Sequence, residues 1–283
     1  SIEDSRVIIL PVPYDSTTSY RSGSREGPMA ILNASRNLED YDPELNLDIS
    51  DIGIYTAPLL DPHMEGPSFM MERIYQTVAS LASKNKILGL IGGEHSISIG
   101  GVKATADLYP QLSVLYLDAH GDLRNEYMGT HWGHASVARR LLEICPIVQV
   151  GVRSISSEEH KFITETGVKT HFWEAGEVQP SLHNEIIESL APNVYISVDL
   201  DVLDPSIMGA VGTPEPGGMY WHQITSLLRA VSLKRRIVGF DVTELSPEDG
   251  PVACSYVAAK LVYKIIGYAT STVLEGESTS KTS

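Results

Sequence analysis

The most restrictive feature of this chain is a series of short apolar runs that do not alternate. RVIILPV (6–12), KILGLIG (86–92), LSVLYLD (112–118), IVQVGV (147–152), VKTHFW (168–173), VYISVDL (194–200) and RIVGFDV (236–242) are of this kind, with STVLEG (271–276) a further candidate. A strand with one wet face alternates apolar and polar residues; runs without that period suit parallel strands buried on both faces. Helical patterns fill the intervals at 67–84, 97–108, 134–144, 157–166, 181–190, 221–234 and 255–268. The alternation predicts an α/β domain with right-handed crossovers. No Pro/Ser linker, charge block or repeat interrupts it. We therefore expect one domain over 1–275, with loop-like chain at 38–66 and a flexible tail at 276–283. Pattern alone leaves two architectures open, an open sheet covered on both faces or a closed eight-stranded barrel.

Composition narrows the partners. The formal charge of −15 leaves no basic stripe to neutralise phosphates, so neither nucleic acid nor an anionic membrane is expected, whereas small cations would be attracted. No run approaches eighteen apolar residues and the N-terminus SIEDSRVIIL lacks a secretory layout, which predicts a cytoplasmic protein. Cys145 and Cys254 form no CxxC pair and sit among apolar neighbours, as buried inert thiols do.

Both architectures place ligands at the carboxyl ends of strands, and there the polar residues gather. GGEHS (92–96), DAHGD (118–122), DLDVLDP (199–205) and ELSPEDG (244–250) each follow a strand candidate. Asp118, His120 and Asp122 share one side if their strand persists, as do Asp199 and Asp201, while His95 arrives from a third strand end. Any one acid here could be a turn former or helix cap, and Asp204 before Pro205 reads that way. His63, His160, His171, His183 and His222 read as ordinary surface or structural histidines. Convergence of three strand ends is what favours a metal site. Four carboxylates and two imidazoles without a thiolate suit Mn²⁺, Mg²⁺ or Fe²⁺ better than structural zinc. Six ligands exceed the need of one open ion, so two ions roughly 3.5 Å apart are the economical arrangement.

These motifs, in this order and spacing, resemble the metal motifs of the ureohydrolases, the arginase and agmatinase family. STTSYRSGSREGP (16–28), GHASVARR (133–140), GTPEPGG (212–218) and FDVTELSPEDG (240–250) extend the resemblance over nearly the whole chain. It implies a three-layer α/β/α open, mainly parallel sheet and a pair of Mn²⁺ ions per chain. One ion would be held by His95, Asp118, Asp122 and Asp199, the other by Asp118, His120, Asp199 and Asp201. The implied reaction is hydrolysis of a guanidinium to urea and an amine. Asp122 would carry a proton to the leaving amine, Glu244 would grip the guanidinium, and His134 would be a proton shuttle or substrate contact. The resemblance also implies a homotrimer or homohexamer.

The substrate expected first is agmatine, giving putrescine and urea. Arginases typically carry an Asn two places beyond the DAHxD motif, where this chain has Arg124. Pointing inward, Arg124 would instead suit a substrate ending in carboxylate, such as guanidinobutyrate; arginine is a further alternative. Two other classes share the architecture. A non-catalytic polyamine-binding regulator would bind without metal, and a deacetylase-type amidohydrolase would use a single zinc.

Overall fold

The computed structural model describes residues 1–174 and 180–280. Ten strands form among the described residues: β1 (Val7–Val12), β2 (Tyr41–Asp42), β3 (Leu47–Asp48), β4 (Ile54–Thr56), β5 (Ile87–Gly92), β6 (Leu112–Leu117), β7 (Ile147–Val152), β8 (Lys169–Phe172), β9 (Asn193–Asp199) and β10 (Arg236–Thr243). The helices are α1 (Gly27–Ser35), α2 (Pro67–Leu81), α3 (Ser98–Leu108), α4 (Val137–Leu141), α5 (Ser157–Thr166), α6 (Pro180–Ser189), α7 (Trp221–Ser232) and α8 (Ala253–Ser280). Eight strands make one sheet in the order β4-β1-β5-β10-β9-β6-β7-β8, and every pairing is parallel. Strands β4 and β8 are its two edges, so the sheet is open and the barrel is excluded.

The unalternating runs are explained by two cores. Along β1, Val7 and Ile9 join one core while Ile8, Leu10 and Val12 join the other. Along β6, Leu115 and Leu117 go one way, Val114 and Tyr116 the other. Helices α1, α6, α7 and α8 contribute to the first core, and α2, α3 and α4 to the second. Each buried Leu or Ile contributes about 1.5–3 kcal/mol relative to exposure, so polar alternation in these strands would forfeit one face outright.

Two sequence expectations need correction, and one helix has no counterpart among them. STVLEG (271–276) is not a strand; it lies within α8. The segment before 38 contains α1, whose start is fixed by Pro28 in the first turn, where a missing N–H costs nothing. The stretch 38–66 is not all loop: β2 and β3 form an antiparallel ribbon and β4 adds an edge strand to the sheet. Elements of two or three residues are too short to show a period. Of the segment 276–283, the part up to Ser280 continues α8, and 281–283 lie outside the described residues. No helix among the described residues is long and apolar enough to cross a membrane.

Candidate active site

Chain order and sheet order differ in one consequential way. β5 and β6 follow each other in sequence, but β10 and β9 stand between them in the sheet. The four strands that precede the polar motifs thus become neighbours, in the order β5-β10-β9-β6, at a switch point where open α/β sheets bind ligands. Register levels their ends. Val242 pairs with Ile91, Thr243 with Asp199, and Leu117 with Val198, which sets Asp118 beside Asp199.

The side chains converge, though not by strand period as expected. β6 ends at Leu117, His120 forms an isolated bridge to Ser154, and Asp122 sits in the left-handed region at φ 49°. β9 ends at Asp199, and a 3-10 turn over Leu200–Val202 follows, with Asp199 Oδ1 accepting from Asp201 N at 2.9 Å. Loop and cap geometry replace the persisting strand. His95 Nδ1 lies 3.0 Å from Asp118 Oδ2, 3.3 Å from Asp199 Oδ2 and 3.6 Å from Asp122 Oδ2. His120 Nδ1 lies 2.8 Å from Asp201 Oδ2 and 3.6 Å from Asp118 Oδ1. Two groups with ligand-type spacing result, His95–Asp118–Asp122 and Asp118–His120–Asp201, sharing Asp118. Asp199 belongs to neither tight group, but its Oδ2 faces His95. All six expected residues are in one place.

The donor set fits cations. Asp118 Oδ2 is buried without a hydrogen bond among the described residues, and the His95 imidazole at 3.0 Å is shared with Asp199 and Asp122, an arrangement that is costly without further positive charge. Burial and the charge of Asp118 hold the Asp122 carboxyl well above the usual range, and burial with Asp201 and Asp118 does the same to Asp199. Burial opposes a charge on His95, but Asp118 and Asp199 outweigh it and raise the imidazole well above its ordinary value. Like charges crowded in a dry site, balanced only by imidazoles, are what bound cations neutralise.

Around the cluster lies a cavity of about 330 Å³, lined among others by His95, His120, Asp122, Asp199, Asp201, His134, Glu244 and Arg124. Glu244 follows β10 at φ 68°, a second acid in the left-handed region. Its Oε1 accepts from His95 N at 2.6 Å, and burial together with Glu94 pushes it up to about 8. His134 opens a short 3-10 turn; its ring lies 3.3 Å (Nδ1) from Thr17 Oγ1 and 3.2 Å (Nε2) from Ser19 Oγ. Burial, then the nearby His120, lower His134 to about 4, so it is neutral at physiological pH. Arg124 lines the cavity with its guanidinium 5.0 Å over the Tyr127 ring and makes no ion pair among the described residues. It does not pair with Glu126, whose carboxylate faces His131. Asp204 is turn chemistry, as expected: it accepts from Ser206, Gly217 and Gly218 backbone N–H groups.

Sequence reasoning missed the residues that hold the ligands. The Tyr116 hydroxyl donates to Asp122 Oδ2 at 2.7 Å and its ring stacks on His95. Two positions before Asp118, it already shared that side chain's facing, which was a readable signal. Glu94 lies inside GGEHS but was given no task. Gly93 of the same motif admits the chain after β1, since a Cβ there would meet Tyr14 O at 1.8 Å. Arg153 donates to five backbone carbonyls, including Asp201 O at 2.7 Å, and nothing in its sequence context marks it.

Comparisons with known proteins bear on the family and the fold. A sequence profile of the arginase family matches residues 5–267. The chain is 39% identical over 279 residues to an N(1)-aminopropylagmatine ureohydrolase of Synechocystis sp., covering 95% of this chain and 90% of that one. It is 35% identical to an agmatinase of Pyrococcus horikoshii, covering 94% and 93% of the two chains. The solved agmatine ureohydrolase of Thermoplasma volcanium superposes with a TM-score of 0.87 at 33% identity, over 97% of this chain and 93% of that one.

Proposed function

The chain belongs to the arginase family of ureohydrolases, and from that premise we propose that it cleaves the guanidinium of an agmatine-type amine to urea and the free amine. Agmatine, giving putrescine, and its N(1)-aminopropyl derivative, the compound named for several of the similar relatives, make up the substrate class. The observation that carries the reading is the single cavity joining the His/Asp cluster to Glu244 and His134. Production of putrescine-like amines would place the protein in polyamine biosynthesis. Cytoplasmic residence and assembly as a homotrimer or homohexamer belong to the same proposal.

Two Mn²⁺ ions per chain suit a set rich in carboxylate oxygen and free of thiolate. His95, Asp118, Asp122 and Asp199 would hold one, and Asp118, His120, Asp199 and Asp201 the other, with Asp118 and Asp199 in both sets. When bound, such a pair supplies a strong nucleophile at neutral pH and offsets the carboxylate crowding. The guanidinium carbon is a poor electrophile because its charge is spread over three nitrogens. Positioning is therefore the task left to the side chains.

Glu244 keeps Oε2 without a protein partner among the described residues, an acceptor for guanidinium N–H. Asp122, anchored through Oδ2 by Tyr116, receives the proton released on attack and delivers it to the leaving nitrogen. His134, neutral and at the cavity wall, contacts the substrate or relays a proton.

One observation favours a second reading. Arg124 brings to the cavity wall a guanidinium without an ion pair among the described residues, which suits a substrate ending in carboxylate such as guanidinobutyrate. Urea release by the Mn²⁺-loaded protein from agmatine, N(1)-aminopropylagmatine, guanidinobutyrate and arginine separates these. Absence of urea from both agmatine compounds defeats the first reading.

A further inference from the structure

We propose that Glu94 and Thr17 are positioning residues that set the tautomer of His134, placing the ring proton on Nδ1 and the lone pair on Nε2, toward the cavity. The inference rests on the reading of His134 as a group that meets the substrate, and it decides in which sense it does so.

Glu94 is fully buried, and both its oxygens are saturated with donors. Oε2 accepts from Ser16 N at 2.6 Å and Thr17 N at 2.7 Å; Oε1 accepts from Thr17 Oγ1 at 2.7 Å and Ser96 Oγ at 2.5 Å. Oε2 is occupied by two backbone N–H groups, and the Thr17 hydroxyl stands at 2.7 Å from Oε1 but at 3.3 Å from His134 Nδ1. Thr17 owns one hydroxyl hydrogen, and the shorter bond to Glu94 commits it. Toward any other neighbour Thr17 Oγ1 can only accept.

Its other neighbours are both on His134. The backbone N–H of His134 donates to Thr17 Oγ1 at 3.0 Å, and Nδ1 stands 3.3 Å from the same oxygen. A lone pair on Nδ1 would face a lone pair on Oγ1; an Nδ1–H makes a second donation instead. In a neutral ring the other nitrogen is then an acceptor. Nε2 is the nitrogen near Ser19 Oγ, whose exposed hydroxyl can donate to it and can be displaced by a ligand. His134 thus meets the substrate as an acceptor of guanidinium N–H, not as an acid. The arrangement also explains why a segment 78 residues before Glu94 and 117 before His134 is part of the site. It is the third-group logic by which a base is held in one tautomer.

The test is ¹⁵N NMR of the full chain in EDTA, with His134 assigned by difference against His134→Asn. A pyrrole-type resonance at Nδ1 and a pyridine-type resonance at Nε2 are expected. Thr17→Val removes the acceptor and should move the proton to Nε2; Thr17→Ser should keep the original pattern. Glu94→Gln, which exchanges one acceptor oxygen for a donor, should move the same resonances if Thr17→Val does not fold. In the Mn²⁺-loaded enzyme, Thr17→Val should lose roughly 10²-fold in kcat/KM and Thr17→Ser no more than about threefold. An Nε2–H tautomer in the parent, or resonances unmoved in the folded variants, overturns the proposal. The tautomer is read without turnover, so a protein releasing no urea would defeat the proposed function and leave this result standing.

Discussion

The Tyr116 hydroxyl donates to Asp122 Oδ2 at 2.7 Å while its ring lies 4.7 Å from the His95 ring at 11°, nearly parallel. One side chain therefore steadies two members of the cluster, Asp122 through a hydrogen bond and His95 through stacking together with a hydroxyl contact of 3.0 Å to Nδ1. Tyr116→Phe keeps the ring over His95 and removes both hydroxyl contacts, so Asp122 loses its tether. We expect Mn²⁺ affinity to fall about 10–100-fold, the usual loss for a partner of a metal ligand, with KM for the substrate nearly unchanged. Calorimetric titration of Mn²⁺ into the variant checks it; an affinity within twofold of the parent removes Tyr116 from this role.

Chelation should abolish urea release and added Mn²⁺ should restore it. The crowded, mutually repelling acids around a shared imidazole predict a companion effect on stability. Metal present at 100 times its Kd would raise stability by about 2.7 kcal/mol, so the melting temperature should drop on EDTA treatment. Thermal melts with and without EDTA read this directly. Substrate or polyamine binding that survives chelation would point to the regulator instead.

Glu244→Gln should leave the fold intact and cut kcat/KM by roughly 10²-fold, the worth of a charged hydrogen bond of about 1.5–3 kcal/mol. Both Glu244 and Asp122 occupy left-handed backbone, a conformation that costs such residues about 1–3 kcal/mol. Glu244→Gly should accordingly relieve strain while removing function. Denaturant unfolding should show it at least as stable as Glu244→Gln, the reverse of what glycine does in ordinary loops.

Away from the site, Lys264 on α8 is buried with Asp42 of β2, Nζ to Oδ2 at 2.8 Å. Burial would raise the Asp42 carboxyl, but Lys264 and the N–H groups of Leu45 and Glu44 outweigh it and hold it below the ordinary value. A carboxyl depressed by folding contributes stability that is fully present above its unfolded value, about 3.9. That contribution is lost as pH falls from there through the lower folded value. Acid unfolding should therefore be steeper in the parent than in Asp42→Asn below about pH 4. Lys264→Met, which strands the acid, should cost about 3–5 kcal/mol near neutral pH by denaturant titration.

How much of this was legible depends on the range of each signal. Runs such as VYISVDL announced doubly buried strands because β9 sends side chains into both cores, Val194, Ile196 and Val198 into one and Tyr195 into the other. The six clustered residues were legible because chemistry restricts their types, and three strand ends carried them. Sequence could not show that β10 enters between β5 and β9, since register is a property of pairs of strands. Nor could it show the left-handed turns at Asp122 and Glu244, which glycine would have advertised. Arg124 was visible as a departure, but its orientation over Tyr127 depends on a loop geometry that no local pattern encodes.

The late entry of β10 has a temporal meaning. Without residues 236–243 the sheet falls into two pieces, β4-β1-β5 carrying His95 and β9-β6-β7-β8 carrying the acids and His120. A chain emerging from the ribosome therefore holds every cluster residue well before it can bring them together. The last strand is the keystone that joins the two pieces, and tight metal capture should report that the final strand has been seated.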